Sequence, residues 1–134
     1  MVTVLAWGHL PAGETSARDF RVAALASARA ASDALAAAEL TGEAVLAKRA
    51  TRPYAESRLS DSRTALAGAA DRFAGVGPPD ESCERMRDEL GELLARANVV
   101  LSVIESAVTE QNVADIVAVT AALDAFVRDH RAGN

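Results

Sequence analysis

Apolar residues recur along most of this chain at alternating intervals of three and four. From Pro53 the set is Ala55, Leu59, Ser62, Leu66, Ala69 and Phe73, continuing to Val76. From Asp80 it is Met86, Leu90, Leu93, Ala97, Val100, Ile104 and Ala107. After Thr109 it is Val113, Ile116, Thr120, Leu123, Val127 and His130. That spacing lays each set along one stripe of an α-helix, in the manner of the seam by which helices pack at shallow angles. An earlier segment, from Ser16 towards Lys48, keeps the period with smaller side chains: Phe20, Ala24, Ala31, Leu35, Ala38 and Val45. Small faces let backbones approach closely, so this helix is expected to lie unusually near a neighbour. No stretch shows the strict alternation of a half-buried strand.

The breaks between these stripes have their own chemistry. Ser16 followed by Asp19 resembles a capping box with Asp in place of Glu. Thr41-Gly42 is expected to fray or kink the first helix. Pro53 suits the first turn of the second helix, because proline lacks the amide donor that such a turn leaves unpaired. The second helix should end near Ala74, before Gly75-Val76-Gly77-Pro78-Pro79, the clearest loop in the chain. Asp80, Glu81 and Glu84 place negative charge at the start of the third helix, where it complements the helix dipole. Thr109 and Asn112 are both candidate N-caps for the fourth, which should run to about His130. Short connections favour antiparallel neighbours. The sequence therefore predicts an all-α, antiparallel up-down-up-down four-helix bundle over residues 15–134, after a non-helical N-terminal segment over 1–14.

Composition sharpens this picture. Alanine fills 31 of the 134 positions, concentrated in the first two helices, and alanine is the best helix former. The 50% apolar fraction and the net charge of -5 argue against disorder. One cysteine excludes a disulfide scaffold and leaves the redox compartment undecided. Charge divides unevenly: residues 1–78 carry nine basic and eight acidic side chains, whereas 79–134 carry five and eleven. No apolar run is long enough to span a bilayer. Val2, Val4, Leu5, Ala6 and Trp7 form a short apolar patch with no Lys or Arg before Arg18, so a secretory signal is incomplete. The patch reads either as a tail that lays Trp7 against the bundle or as the clipped end of a signal or membrane anchor.

Candidate chemistry is sparse. His9 lies among glycine and proline, and His130 sits near a helix C-terminus, where a basic group interacts favourably with the dipole. Neither occupies the mid-helix position that histidine phosphotransfer requires. The paired Glu-x-x-His motifs of a di-metal bundle are absent. Glu81, Glu84, Asp88, Glu89 and Glu92 crowd the third helix, but Arg85 is spaced to pair with Glu81 and Asp88, and a solvated acidic face outweighs a weak cation site. Lys48, Arg49, Arg52, Arg58, Arg63 and Arg72 make too thin a footprint for nucleic acid in an acidic chain. They are expected instead to face the acidic third helix. Cys83 lies in a helix first turn among Asp80, Glu81 and Glu84, whose charges oppose thiolate formation. Gly-x-Ser-x-Gly elbows and Walker-type phosphate loops are missing. Neither an enzyme nor a cofactor is expected.

Pro78-Pro79-Asp80, then Glu84-Arg85-Met86-Arg87-Asp88-Glu89-Leu90 and Leu93-Leu94, resembles segments of uncharacterised exported or membrane-anchored helical-bundle proteins of high-GC actinobacteria. The resemblance covers the second half of the chain and brings no catalytic residues. It implies an extracytoplasmic or envelope-associated bundle, with the cytoplasm as the alternative location. The expected function is non-enzymatic binding, as a scaffold, a partner-docking module or a sensor-like domain, with a protein or a second copy as partner. Trp7, Phe20, Ala24 and Ala31 are the candidate contact residues. The alternative is a small-molecule or metal-ion site in a pocket between the alanine-rich helices.

Overall fold

The computed structural model describes residues 16–132. Four helices make up the fold: α1 (Ala17–Leu46), α2 (Arg52–Ala74), α3 (Glu81–Ser106) and α4 (Glu110–Ala132). Short loops join them into an antiparallel up-down-up-down bundle. The segment expected over residues 1–14, with Trp7 and His9, lies outside the described residues.

Each helix begins on a side-chain cap that accepts an otherwise unpaired amide. Ser16 Oγ accepts from the Asp19 N–H at 3.0 Å, and Thr51 Oγ1 from the Tyr54 N–H at 3.3 Å. Asp80 Oδ1 accepts from the Cys83 N–H at 2.8 Å, and Thr109 Oγ1 from the Asn112 N–H at 3.0 Å. Of the two candidates at the last boundary, Thr109 is the cap. Asn112 instead donates its side-chain amide to the Ala107 carbonyl at 2.7 Å, which ties the α3–α4 turn.

The C-terminus of α1 closes in a Schellman pattern. Lys48 N–H donates to the Val45 carbonyl and Arg49 N–H to the Ala44 carbonyl, at 3.0 and 2.8 Å. Lys48 takes the left-handed conformation this needs, with φ 60°. The break expected at Thr41-Gly42 does not occur; α1 runs through it. Gly42 is buried there, and a Cβ on it would lie 2.8 Å from Val113 Cγ2 and 3.1 Å from Ile104 Cδ1. The glycine marks a close approach of helices rather than a kink.

One core links all four helices, with Phe20, Leu35, Leu90, Leu101, Ile104, Ile116, Leu123 and Phe126 at its centre. The small face of α1 acts as the spacing suggested. Ala24, Ala28, Ala31 and Ala38 have no exposed surface, and α1 packs closely on α2 and α4 while also touching α3 across the diagonal. Helices α2 and α4 do not meet. Two serines fix α1 against its neighbours: Ser27 Oγ donates to the Ala69 carbonyl at 3.3 Å, and Ser32 Oγ to Asp124 Oδ1 at 2.6 Å. The seam of α3 departs from a strict heptad beyond Ala97. Leu101 is fully buried, Val100 only partly, and Ala107 is exposed. A straight helix of 3.6 residues per turn drifts off a 3.5-residue repeat, and the buried stripe follows the drift. In α4, Val119 and Phe126 join the core for the same reason.

Candidate docking surface

Three of the four contact candidates read from the sequence can be placed, or nearly so. Phe20, Ala24 and Ala31 lie wholly inside the bundle. Their faces meet other helices of the same chain, and Phe20 packs on Phe73 with ring centroids 5.5 Å apart. That is a correction: the period that made them conspicuous is the period of the core, so they offer no surface to a partner. Trp7 lies outside the described residues. The outer face of α1 does not replace them, because exposed Val22 and Leu40 are separated by Arg29 and Asp33 and form no patch.

Exposed apolar side chains occur instead on α3 and α4. Val99 (59% exposed) and Val103 (43%) are one turn apart on α3, and Val117 (43%) stands on α4 between exposed Ala114 and Ala121. Beside Val99 a groove of about 430 Å³ runs between the helices, with Ala95, Val99, Val100, Ala118 and Val119 as its apolar walls. Glu92, Arg96 and Asp115 edge it. Each helix has more apolar positions than one seam can use, because β-branched residues occupy outward positions as well as inward ones. The sequence held this signal in Val99, Val103 and Val117, which fall outside the heptad sets and were passed over for that reason.

A second groove, of about 670 Å³, lies between α2 and α3, with Phe73 and Leu94 in its walls and Gly91 beside them. A third, of about 370 Å³, sits at the end of the bundle formed by the α1–α2 and α3–α4 loops, and its polar edge is Arg52, Glu56 and Glu105. None of these grooves is lined by the buried alanines of α1, whose small faces are filled by neighbouring helices.

The charged candidates sort differently from their sequence spacing. Arg63 of α2 reaches Glu105 of α3 at 2.8 Å and donates to Ser102 Oγ at 2.9 Å, the cross-helix pairing expected of the basic second helix. Asp88 pairs with Arg87 at 3.3 Å rather than with Arg85. His130 joins the acidic helix through Glu89 at 3.1 Å while its ring lies 4.3 Å from that of Phe126. Arg21, Ser82, Arg85 and Asp129 gather around this pair, a balanced polar cluster that no local motif announced. Among the described residues no group of three or more His, Cys, Asp or Glu side chains is placed to hold a metal ion. Cys83 is buried; burial and the neighbouring Asp80 carboxylate push its thiol up from the usual range, opposite to what a nucleophile needs. Asp80 itself is held low by the amide it caps. No helix of the described residues is long and apolar enough to cross a membrane.

Compared with known proteins, the chain matches no family model, no curated protein and no solved structure.

Proposed function

We propose that this chain is a non-enzymatic docking module that binds an amphipathic, basic helix of a protein partner on the outer face of α3 and α4. The observation that carries the reading is the apolar groove walled by Ala95, Val99, Val100, Ala118 and Val119, with Val99 exposed beside it. An amphipathic helix lays apolar anchors at intervals of three and four into such a groove. Charge selects among such helices. The α3–α4 half carries six more acidic than basic side chains, and Glu92 and Asp115 stand at the groove edge. A partner helix with basic flanks is attracted and oriented by that field, and an acidic one is repelled.

Calorimetric titration with a Leu/Lys amphipathic peptide of about five helical turns, and with its Leu/Glu counterpart, tests this. The basic peptide should bind and the acidic one should not, and binding should weaken as salt rises. Val99→Lys with Ala118→Lys should reduce affinity at least about tenfold, equivalent to about 1.4 kcal/mol. Equal binding of both peptides, or full binding by the double variant, contradicts the reading. So does a dimer in light scattering that Val99→Lys dissociates, because the groove would then belong to a second copy.

A further inference from the structure

Resting on the docking reading, we propose that the partner helix carries its basic side chains gathered at one end. That end lies over Glu89, Glu92 and Asp129, and the apolar anchors lie beside Val99. The furrow between α3 and α4 continues past the groove walled by Val99 and Val119. A further hollow of about 430 Å³ adjoins it, with Leu93, Ala122, Ala125 and Phe126 in its walls and Glu89, Glu92 and Asp129 around them. Glu92 borders both hollows. On α3 the lining residues Glu89, Glu92, Arg96 and Val99 follow one another at intervals of three and four, as do Ala118, Ala122, Ala125 and Asp129 on α4. That spacing keeps each set on one helix face, so the two hollows are successive lengths of one furrow.

The chemistry changes along it. At the end nearer the α3–α4 turn the walls include Val99, Val100 and Val119, and Arg96 offsets one of the two carboxylates, Glu92 and Asp115. At the other end three carboxylates border the hollow and no Lys or Arg lines it. Glu89 is held by His130 at 3.1 Å, whereas Glu92 and Asp129 enter no ion pair among the described residues. Arg21 and Arg85 stand beyond, in a hollow that Glu89 and Asp129 also border, and they end the acidic length.

The helical rise from Glu89 to Val99 is about 15 Å, or about three turns. An occupant with basic side chains spread along its length would set some of them against Arg96 or over the valines. One with them gathered in a single end turn meets the carboxylates and leaves the valines to its apolar anchors.

Two amphipathic Leu/Lys/Gln peptides of equal length and composition test this, one with its lysines in an end turn and one with them spread along both flanks. Calorimetric titration should give the end-loaded peptide about fivefold the affinity of the other. Glu92→Gln with Asp129→Asn should remove that preference. Asp61→Asn with Asp71→Asn on α2, an equal loss of charge, should preserve it. In the wild-type chain, a nitroxide on the lysine end should broaden the amide resonances of Ala122, Ala125 and Phe126, and one on the apolar end those of Val99 and Val100. Equal affinity for the two peptides, a preference that survives loss of the Glu92 and Asp129 charges, or labels that broaden the reverse sets would overturn the assignment while the docking reading stands. So would a preference lost equally in the α2 variant, because net charge alone would then explain it. If neither peptide binds, the docking reading falls and the assignment falls with it.

Discussion

At the scale of single residues, four positions carry more than their side chains suggest. Lys48 holds a left-handed conformation that a Cβ disfavours, and glycine adopts it freely. Lys48→Gly should therefore stabilise the chain by about 1 kcal/mol, less what glycine's extra unfolded-state freedom removes, as read by urea unfolding. Gly42 is the reverse case. Gly42→Val must displace the stiff Val113 side chain and should cost about 2 kcal/mol. Asp80 gives the clearest pH signature. Its folded pKa is depressed by the Cys83 N–H, so its stabilising effect is present above the ordinary aspartate pKa and is lost as pH falls through the folded value. The stability gap between the wild type and Asp80→Ala should be full at pH 7 and close on acidification. Glu39 runs the other way. Partial burial, then Glu43, raise its pKa, so its ionised form disfavours folding above the ordinary glutamate value. Glu39→Gln should stabilise the chain at neutral pH and lose that advantage in acid, as thermal melts across the range will record.

At the scale of elements, the alanine-rich helix is the one on which the architecture depends. It packs closely on α2 and α4 and also touches α3, with side chains small enough for close approach. Ala31→Leu has no free volume to enter and should cost about 2 kcal/mol. Ala26→Leu, on the exposed side of the same helix, should stay within about 0.5 kcal/mol. Much of this was legible in the sequence. The four stripes, two of the caps and the small face of α1 all follow from period and chemistry that act locally, while Asp80 was read only as charge at the helix start. Thr51 as a cap was overshadowed by Pro53 two residues later. Gly42 was misread because a glycine that admits a neighbouring helix and one that breaks its own helix look alike in sequence. Exposed Val99, Val103 and Val117 were missed because they sit off the repeat. Periodicity identifies the residues that face inward, and a binding surface is made of apolar residues that do not. Ser32 with Asp124, and Glu89 with His130, meet across helices and had no local signature.

At the scale of the whole molecule, charge and hydrophobicity separate the surfaces. The α1–α2 half is near neutral and narrow, with its apolar atoms spent inside. The α3–α4 half is acidic and leaves valines outside. One side of α3 presents an apolar groove with a balanced rim. The other presents an apolar groove under a negative field, suited to a basic helix. The proposed contact surface therefore lies on α3 and α4 and not on the small face of α1, which is buried. Chemical-shift mapping of the 15N-labelled chain during titration with the Leu/Lys peptide tests that most directly. Shifts that saturate and centre on Ala95, Val99, Val100, Ala118 and Val119 are the expected result. Shifts centred on α1 and α2, or none that saturate, would contradict it.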